Sequence, residues 1–132
     1  MLIRWGLCLF LVGLLQGALI PVFENPRMAL SGHLTAVQSG TALIAFSLVT
    51  VSTKWSQKVN RQLSIGLILG FHLIWAGITI AAITGASQIL PHAGHGYQST
   101  PFMEMLVAGI MVIGSVLSIT TVSLLLLGLL RK

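Results

Sequence analysis

Long apolar runs separated by short polar breaks dominate the chain, and each run has the length of a membrane-crossing helix, about 20 mostly apolar residues. The first covers roughly residues 5–23 and closes at Glu24-Asn25-Pro26-Arg27, and the second covers roughly 28–51. A short basic segment, Lys54 to Arg61, leads into a third run over roughly 63–84. A loop rich in Gly, His, Pro and Ser precedes the last run, roughly 102–130, which ends in Arg131-Lys132. The pattern predicts an all-α integral membrane protein, a four-transmembrane-helix bundle forming a single domain over residues 1–132. The first run reads as a retained span and not a cleaved leader. Its charged region is very short, and no small-x-small site closes it.

Composition supports a lipid-solvated fold. Hydrophobic residues make up 55% of the chain and charged residues 7%, against about 25% charged in ordinary soluble domains. Mean hydropathy is +0.98. A small soluble domain needs polar groups to cover its large relative surface, and this chain has too few. Its +5 net charge is not a nucleic-acid signature either, because the cations sit between the apolar runs. With four spans, Arg4, Lys54, Lys58, Arg61, Arg131 and Lys132 share one side of the bilayer, and Arg27, Glu24 and Glu104 lie toward the other. The positive-inside rule then places both termini in the cytoplasm and the protein in the inner (plasma) membrane. The single cysteine, Cys8, excludes an internal disulfide and reads as a small buried hydrophobe.

Gly13-x-x-x-Gly17 and Gly66-x-x-x-Gly70 match the spacing that lets helix backbones approach closely. No Asp, Glu, Lys or Arg lies deep in a run, where each would cost about 2.5–3.5 kcal/mol. Two histidines do. His33 falls about 8 Å into the second span at 1.5 Å per residue and shares a face with Gly40, Ile44 and Ser47. Those small residues predict a groove beside the imidazole. Ser31, Thr35 and Gln38 form a second polar stripe, so this helix belongs in a bundle interior or at a subunit contact. His33 reads either as a structural histidine bonded across helices or as an axial haem ligand. His72 lies near the middle of the third span and shares a face with Trp75, Ala76 and Thr79. It reads as a bonded core histidine, a second haem ligand or a pocket wall. In the last loop, His92 and His95 are too few to make a metal site and fit an interfacial turn with Tyr97. Glu104, in the first turn of the last helix, meets the positive end of its dipole.

Two stretches carry a resemblance. Asn25-Pro26-Arg27-Met28-Ala29-Leu30-Ser31-Gly32-His33-Leu34 resembles the entry to the second helix of the hydroxylaminobenzene mutases. Leu90-Pro91-His92-Ala93-Gly94-His95-Gly96, followed by Thr100-Pro101 and Glu104, resembles a later motif of the same family. That family is similar to the styrene oxide isomerases, membrane enzymes that work as trimers with haem b between subunits. The resemblance implies that His33 is the axial ligand of the haem iron. The relatives carry an Asn six residues after that histidine, where this chain has Ser39 preceded by Gln38, and a third-helix Tyr where it has Thr79. Gln38, Ser39 and Thr79 are therefore the candidate substrate-orienting residues, with Phe71, His72 and Trp75 as candidate pocket walls.

The implied reaction converts hydroxylaminobenzene to 2-aminophenol. Breaking N–O needs an acid at the departing oxygen, and with carboxylates nearly absent from the spans a haem iron fits that role as a Lewis acid. Two rivals come from other classes. A b-haem electron-transfer subunit would use His33 and His72 as paired ligands, and a small transporter or accessory protein would line a path with the polar stripes.

Overall fold

Proline and capping side chains set where the helices start. The computed structural model describes residues 1–131, so Lys132 lies outside the described residues. Asn25 accepts a bond from the Met28 amide at 3.0 Å and Pro26 fills the first helical position, opening α2 (Pro26–Ser52). Ser56 caps α3 (Gln57–Thr84) in the same way. Thr100 with Pro101 opens the last helix, Pro101–Leu130. Before these comes α1 (Leu2–Ala18), followed by a 3-10 turn (Ile20–Val22). A one-turn helix, α4 (Pro91–Gly94), sits in the last loop, which makes the final helix α5. No strand occurs among the described residues.

α2, α3 and α5 are each long and apolar enough to cross a membrane, whereas α1 is a shorter apolar helix of 17 residues. The first run thus ends earlier than its hydropathy predicts. Pro21 has no amide hydrogen and its ring obstructs the carbonyl four residues back, so the helix stops and tightens into the 3-10 turn. At the other end, Lys58 and Arg61 belong to the first two turns of α3 and not to a connecting loop. Their long side chains leave the helix axis at an exposed end, so charge does not interrupt the helix.

α1 and α2 pack antiparallel at backbone contact. A Cβ at Gly6 would meet the Gly40 carbonyl at 2.7 Å, and one at Gly40 would meet the Phe10 nitrogen at 2.7 Å. The predicted groove beside Gly40 is therefore filled by the α1 backbone. α3 and α5 form the second antiparallel pair, with Gly70 against Gly114 and Ser118 and Gly66 against Thr121. α2 and α3 join the pairs, and α1 does not touch α5. Large apolar side chains are exposed along α1 and α5, among them Leu11, Leu15, Ile113 and Leu126, a surface suited to lipid. Cys8 is exposed too, contrary to the buried reading. The buried face of α1 runs Leu2, Gly6, Leu9, Gly13, Gln16, and Cys8 falls outside it.

The two motifs that carry the resemblance meet at one residue. Asn25 is fully buried. Besides capping α2, its side-chain amide donates to the Ala93 carbonyl at 3.0 Å and its backbone amide to the Ala82 carbonyl at 2.9 Å. α2, α4 and the end of α3 are thus tied together. Nearby, Gly85 ends α3 in the left-handed conformation, φ 74°, and the following amides of Ser87 and Gln88 donate to Glu104, each at 3.0 Å. Glu104 therefore both faces its own helix dipole and holds the loop. Asn25→Ala should lower stability by about 2–4 kcal/mol, combining a lost cap with a buried amide removed from a half-buried carbonyl that loses its donor. Thermal unfolding in detergent measures this, and an unchanged midpoint would remove the residue from its place as a tie.

Candidate functional site

His33 sits on the α1-facing side of α2, and its ring lies across small residues. Nδ1 is 2.7 Å from the Gly13 carbonyl oxygen. A carbonyl only accepts, so Nδ1 carries the proton and donates. Nε2 is the other ring nitrogen, and no hydrogen bond to it occurs among the described residues. This arrangement is the one metal-ligating imidazoles use, with one nitrogen bonded to protein and the other left to bind. Gly17 makes room for the ring: a Cβ there would come within 2.7 Å of Nδ1.

One turn of α1 away, a polar hub joins three helices around Gln16, which is only 5% exposed. Its Nε2 donates to the Ala29 carbonyl of α2 at 3.2 Å. Its Oε1 accepts from the Trp75 indole nitrogen at 2.7 Å and from the Thr79 hydroxyl at 3.3 Å, both on α3. The side-chain polar hydrogens of Trp75 and Thr79 are thus both spent on one amide. α1 rests on α3 through long side chains, in contrast to its backbone contact with α2. Gly32, next to His33, packs directly on the Gln16 amide nitrogen, so the hub and the imidazole are set by adjacent residues of one helix turn. Gln16 was not singled out by sequence, because it is not ionisable and lies alone in an apolar run.

The other expected site residues fall in different places. Trp75 and Thr79 share the hub. His72 shares a face with Trp75 and Thr79 as the helical projection predicts, and that face meets α1, but its Nδ1 lies 2.7 Å from the Ile68 carbonyl of its own helix and its ring meets Trp5 edge-on at 5.5 Å. Its partner on α1 is eight residues from Gly13, about 12 Å along the axis. The two imidazoles do not face a common ligand within one chain. Phe71 packs against Phe46, with ring centroids 6.3 Å apart. Gln38 is exposed and Ser39 half-buried. At 3.6 residues per turn they lie about 140° and 120° round α2 from His33, on either side. One copy of the chain does not bring them to the imidazole. Ser31 bonds back to Arg27 in its own helix. His92 and His95 are exposed, and no cluster of three or more His, Cys, Asp or Glu side chains suited to a metal occurs among the described residues.

Fold and site define an all-helical protein of membrane type, in which a tautomer-fixed imidazole lies beside a buried amide–indole–hydroxyl cluster. The chain belongs to the styrene oxide isomerase family, whose sequence profile matches residues 1–130. It is 37% identical over 103 residues to hydroxylaminobenzene mutase HabA of Ectopseudomonas oleovorans, an alignment covering 77% of this chain and 76% of that one. It is 32% identical over 108 residues to hydroxylaminobenzene mutase HabB of the same organism, covering 81% of this chain and 66% of the relative. No solved structure matches the chain significantly. Family and relatives support an isomerase or mutase activity in a protein of apolar helices.

Proposed function

We propose that this protein is a membrane isomerase that rearranges hydroxylaminobenzene to 2-aminophenol, with haem b held by Nε2 of His33. The observation that carries the proposal is the Nδ1 bond to Gly13. It occupies Nδ1 and leaves Nε2 without a hydrogen-bond partner on a ring seated among small residues. When bound, the haem iron supplies Lewis acidity for the departing oxygen. The relatives' printed names fit the same need: hydroxylaminobenzene presents an N–O bond and styrene oxide a C–O bond, each next to an aryl ring that shares the developing positive charge. In the net reaction the hydroxyl leaves nitrogen and joins the ortho carbon, which gives up its proton as nitrogen gains one. No external oxidant or reductant is consumed.

The chain's own residues would place the substrate and exclude water. Thr79 donates its hydrogen to Gln16, so its lone pairs remain to accept a substrate N–H or O–H. Trp75 and Phe71 offer ring faces to an aryl group, and His72 lies one turn from Trp75. Water exclusion protects regioselectivity, because a ring cation exposed to solvent is captured at more than one position. Gln38 and Ser39 fit as orienting groups only if a second copy supplies them. Gln38 and Thr41 are exposed on a stretch of helix whose neighbouring position is Leu34, and polar side chains on such a face favour helix–helix contact in a bilayer. That face supports an oligomer with the site between subunits, and the resemblance to the styrene oxide isomerases makes a homotrimer the form we include in the proposal.

Four spans with both ends of the chain in the cytoplasm complete the reading. At 1.5 Å per residue α1 is about 26 Å long, and the 3-10 turn adds about 6 Å, close to the roughly 30 Å of hydrocarbon. Arg4, Lys54, Lys58, Arg61 and Arg131 gather at one end of the bundle, with Arg27, Glu24 and Glu104 at the other, so the positive-inside rule favours an inner-membrane protein of that orientation. Purified protein in detergent, with no vesicle gradient, should convert hydroxylaminobenzene to 2-aminophenol, followed by liquid chromatography. Absence of turnover, or formation of the para isomer as the main product, would reject the proposal.

Gly17→Ala tests the imidazole seat. The added methyl collides with the His33 ring and should shift the Soret band and lower turnover about tenfold or more, since displacing reacting groups by about 1 Å costs on the order of a hundredfold. Gly109→Ala is the matched control, because a Cβ there meets nothing within 4 Å. Equal effects of the two would show general sensitivity to added methyl groups and not a seat for the ring.

A further inference from the structure

The isomerase reading leaves unused a groove of about 620 Å³ at the end of the bundle where α1 and α3 begin and α2 ends. Thr53, Trp55, Gln57, Asn60, Arg61 and Ser64 contribute to its walls. Its floor is fixed by hydrogen bonds: Thr53 donates to Asn60 Oδ1 at 2.8 Å, and Ser64 to the Asn60 carbonyl at 2.8 Å. Trp55 is held from behind by its indole bond to the Leu124 carbonyl at 2.9 Å. The Arg131 guanidinium lies 3.9 Å from the centre of the Trp55 ring, an arrangement that occupies its face and leaves its N–H edge available.

Arg61 is exposed in the groove, and Lys54 and Lys58 are exposed on the segment that frames it. Among the described residues no Asp or Glu side chain lies at their end of the molecule. The chain's acidic residues are Glu24 and Glu104, both at the opposite end, and Glu104 is engaged by Ser87 and Gln88. A polar groove with several uncompensated cations calls for an anion. An apolar track continues from it: Val51 on its wall is 81% exposed and Leu48, one turn deeper along α2, is 72% exposed. The ligand that satisfies both features has a phosphate at the membrane interface and hydrocarbon running inward.

We propose that this groove binds the phosphate headgroup of an anionic phospholipid, with Arg61 and Arg131 on the phosphate and acyl chain along Val51 and Leu48. Basic pockets between helix ends are suited to such headgroups. The site is independent of haem and of turnover, so its test needs neither.

Native mass spectrometry of the purified full chain in detergent, titrated separately with phosphatidylglycerol, phosphatidylcholine and inorganic phosphate, reads the site directly. Wild type should retain phosphatidylglycerol about tenfold better than phosphatidylcholine. Arg61→Gln should lose about fivefold of that preference, the effect expected of one basic residue near an anionic headgroup, and Arg61→Gln with Arg131→Gln should abolish it. Arg27→Gln, at the other end, should leave it intact. Thermal unfolding of each variant in detergent without added lipid verifies the fold. Equal losses in Arg27→Gln and Arg61→Gln would overturn the proposal in favour of diffuse attraction. Displacement of bound lipid by inorganic phosphate at millimolar concentration would overturn the lipid assignment in favour of a free-anion site.

Discussion

His33→Ala should abolish the proposed haem binding and nearly all turnover while the helices remain folded. The variant gives up one Nδ1 bond to Gly13, whose carbonyl lies within α1 and keeps its place in the helix ladder, so the stability loss is about 1 kcal/mol. The functional loss is far larger. Lewis-acid stabilisation of a departing oxygen contributes several kcal/mol, and each 1.36 kcal/mol is tenfold in rate. The expected fall is therefore on the order of a thousandfold. Absorption spectra with a pyridine haemochrome assay, and 2-aminophenol production on the same preparation, measure both halves. Exogenous imidazole should restore part of the Soret band in His33→Gly, where the vacated space admits the free ligand. A colourless, iron-free and fully active wild-type preparation would reject haem as the working group. A haem-replete, active His33→Ala would instead reject this residue as its ligand.

The apolar runs made the helices legible, because lipid imposes both length and composition on them. Their boundaries were less so. Pro21 stops α1 early, and the polar start of α3 reads as a loop until Ser56 is seen to cap it. The Asn25 and Pro91 motifs were visible as strings, but nothing in either string says that the Asn25 amide reaches the Ala93 carbonyl, 68 residues away. His33 could be singled out from its residue type and depth. Its tautomer could not, since that depends on which carbonyl of another helix lies within reach. Gln38 and Ser39 show the limit of reading along one strand of text: five or six residues after a histidine sounds near, yet on a helix it is most of the way to the other side. Gln16 had a signal that went unread. A lone amide inside an apolar span is costly unless bonded, so its presence already required partners on other helices.

Gln16→Leu supplies the second large effect, and its two readouts separate positioning from cement. The substitution removes three interhelical bonds and leaves the Trp75 indole N–H and the Thr79 hydroxyl without their partner, while the Ala29 carbonyl keeps its place in the α2 ladder. Values for water-solvated proteins, about 1–3 kcal/mol for each orphaned group, would suggest wholesale unfolding. Interhelical bonds in bilayers average nearer 0.6 kcal/mol, because unpaired groups find other partners within the bundle. About 2 kcal/mol for the three is the better expectation, and the variant should remain folded in lipid nanodiscs. Freed of Gln16, however, Trp75 and Thr79 lose their fixed orientation. That would loosen the proposed aryl wall and the one hydroxyl whose hydrogen Gln16 holds. kcat should fall about 10–100-fold, in keeping with the sensitivity of rates to misplacement near 1 Å, while haem content stays near wild type because His33 keeps its bond to Gly13. Thr79→Val should reproduce a smaller part of the fall, and the double variant should be no worse than Gln16→Leu alone, since residues in one network do not add. A lowered melting temperature with unchanged kcat would make Gln16 a structural tie only. A full loss of haem would move it into the support of His33.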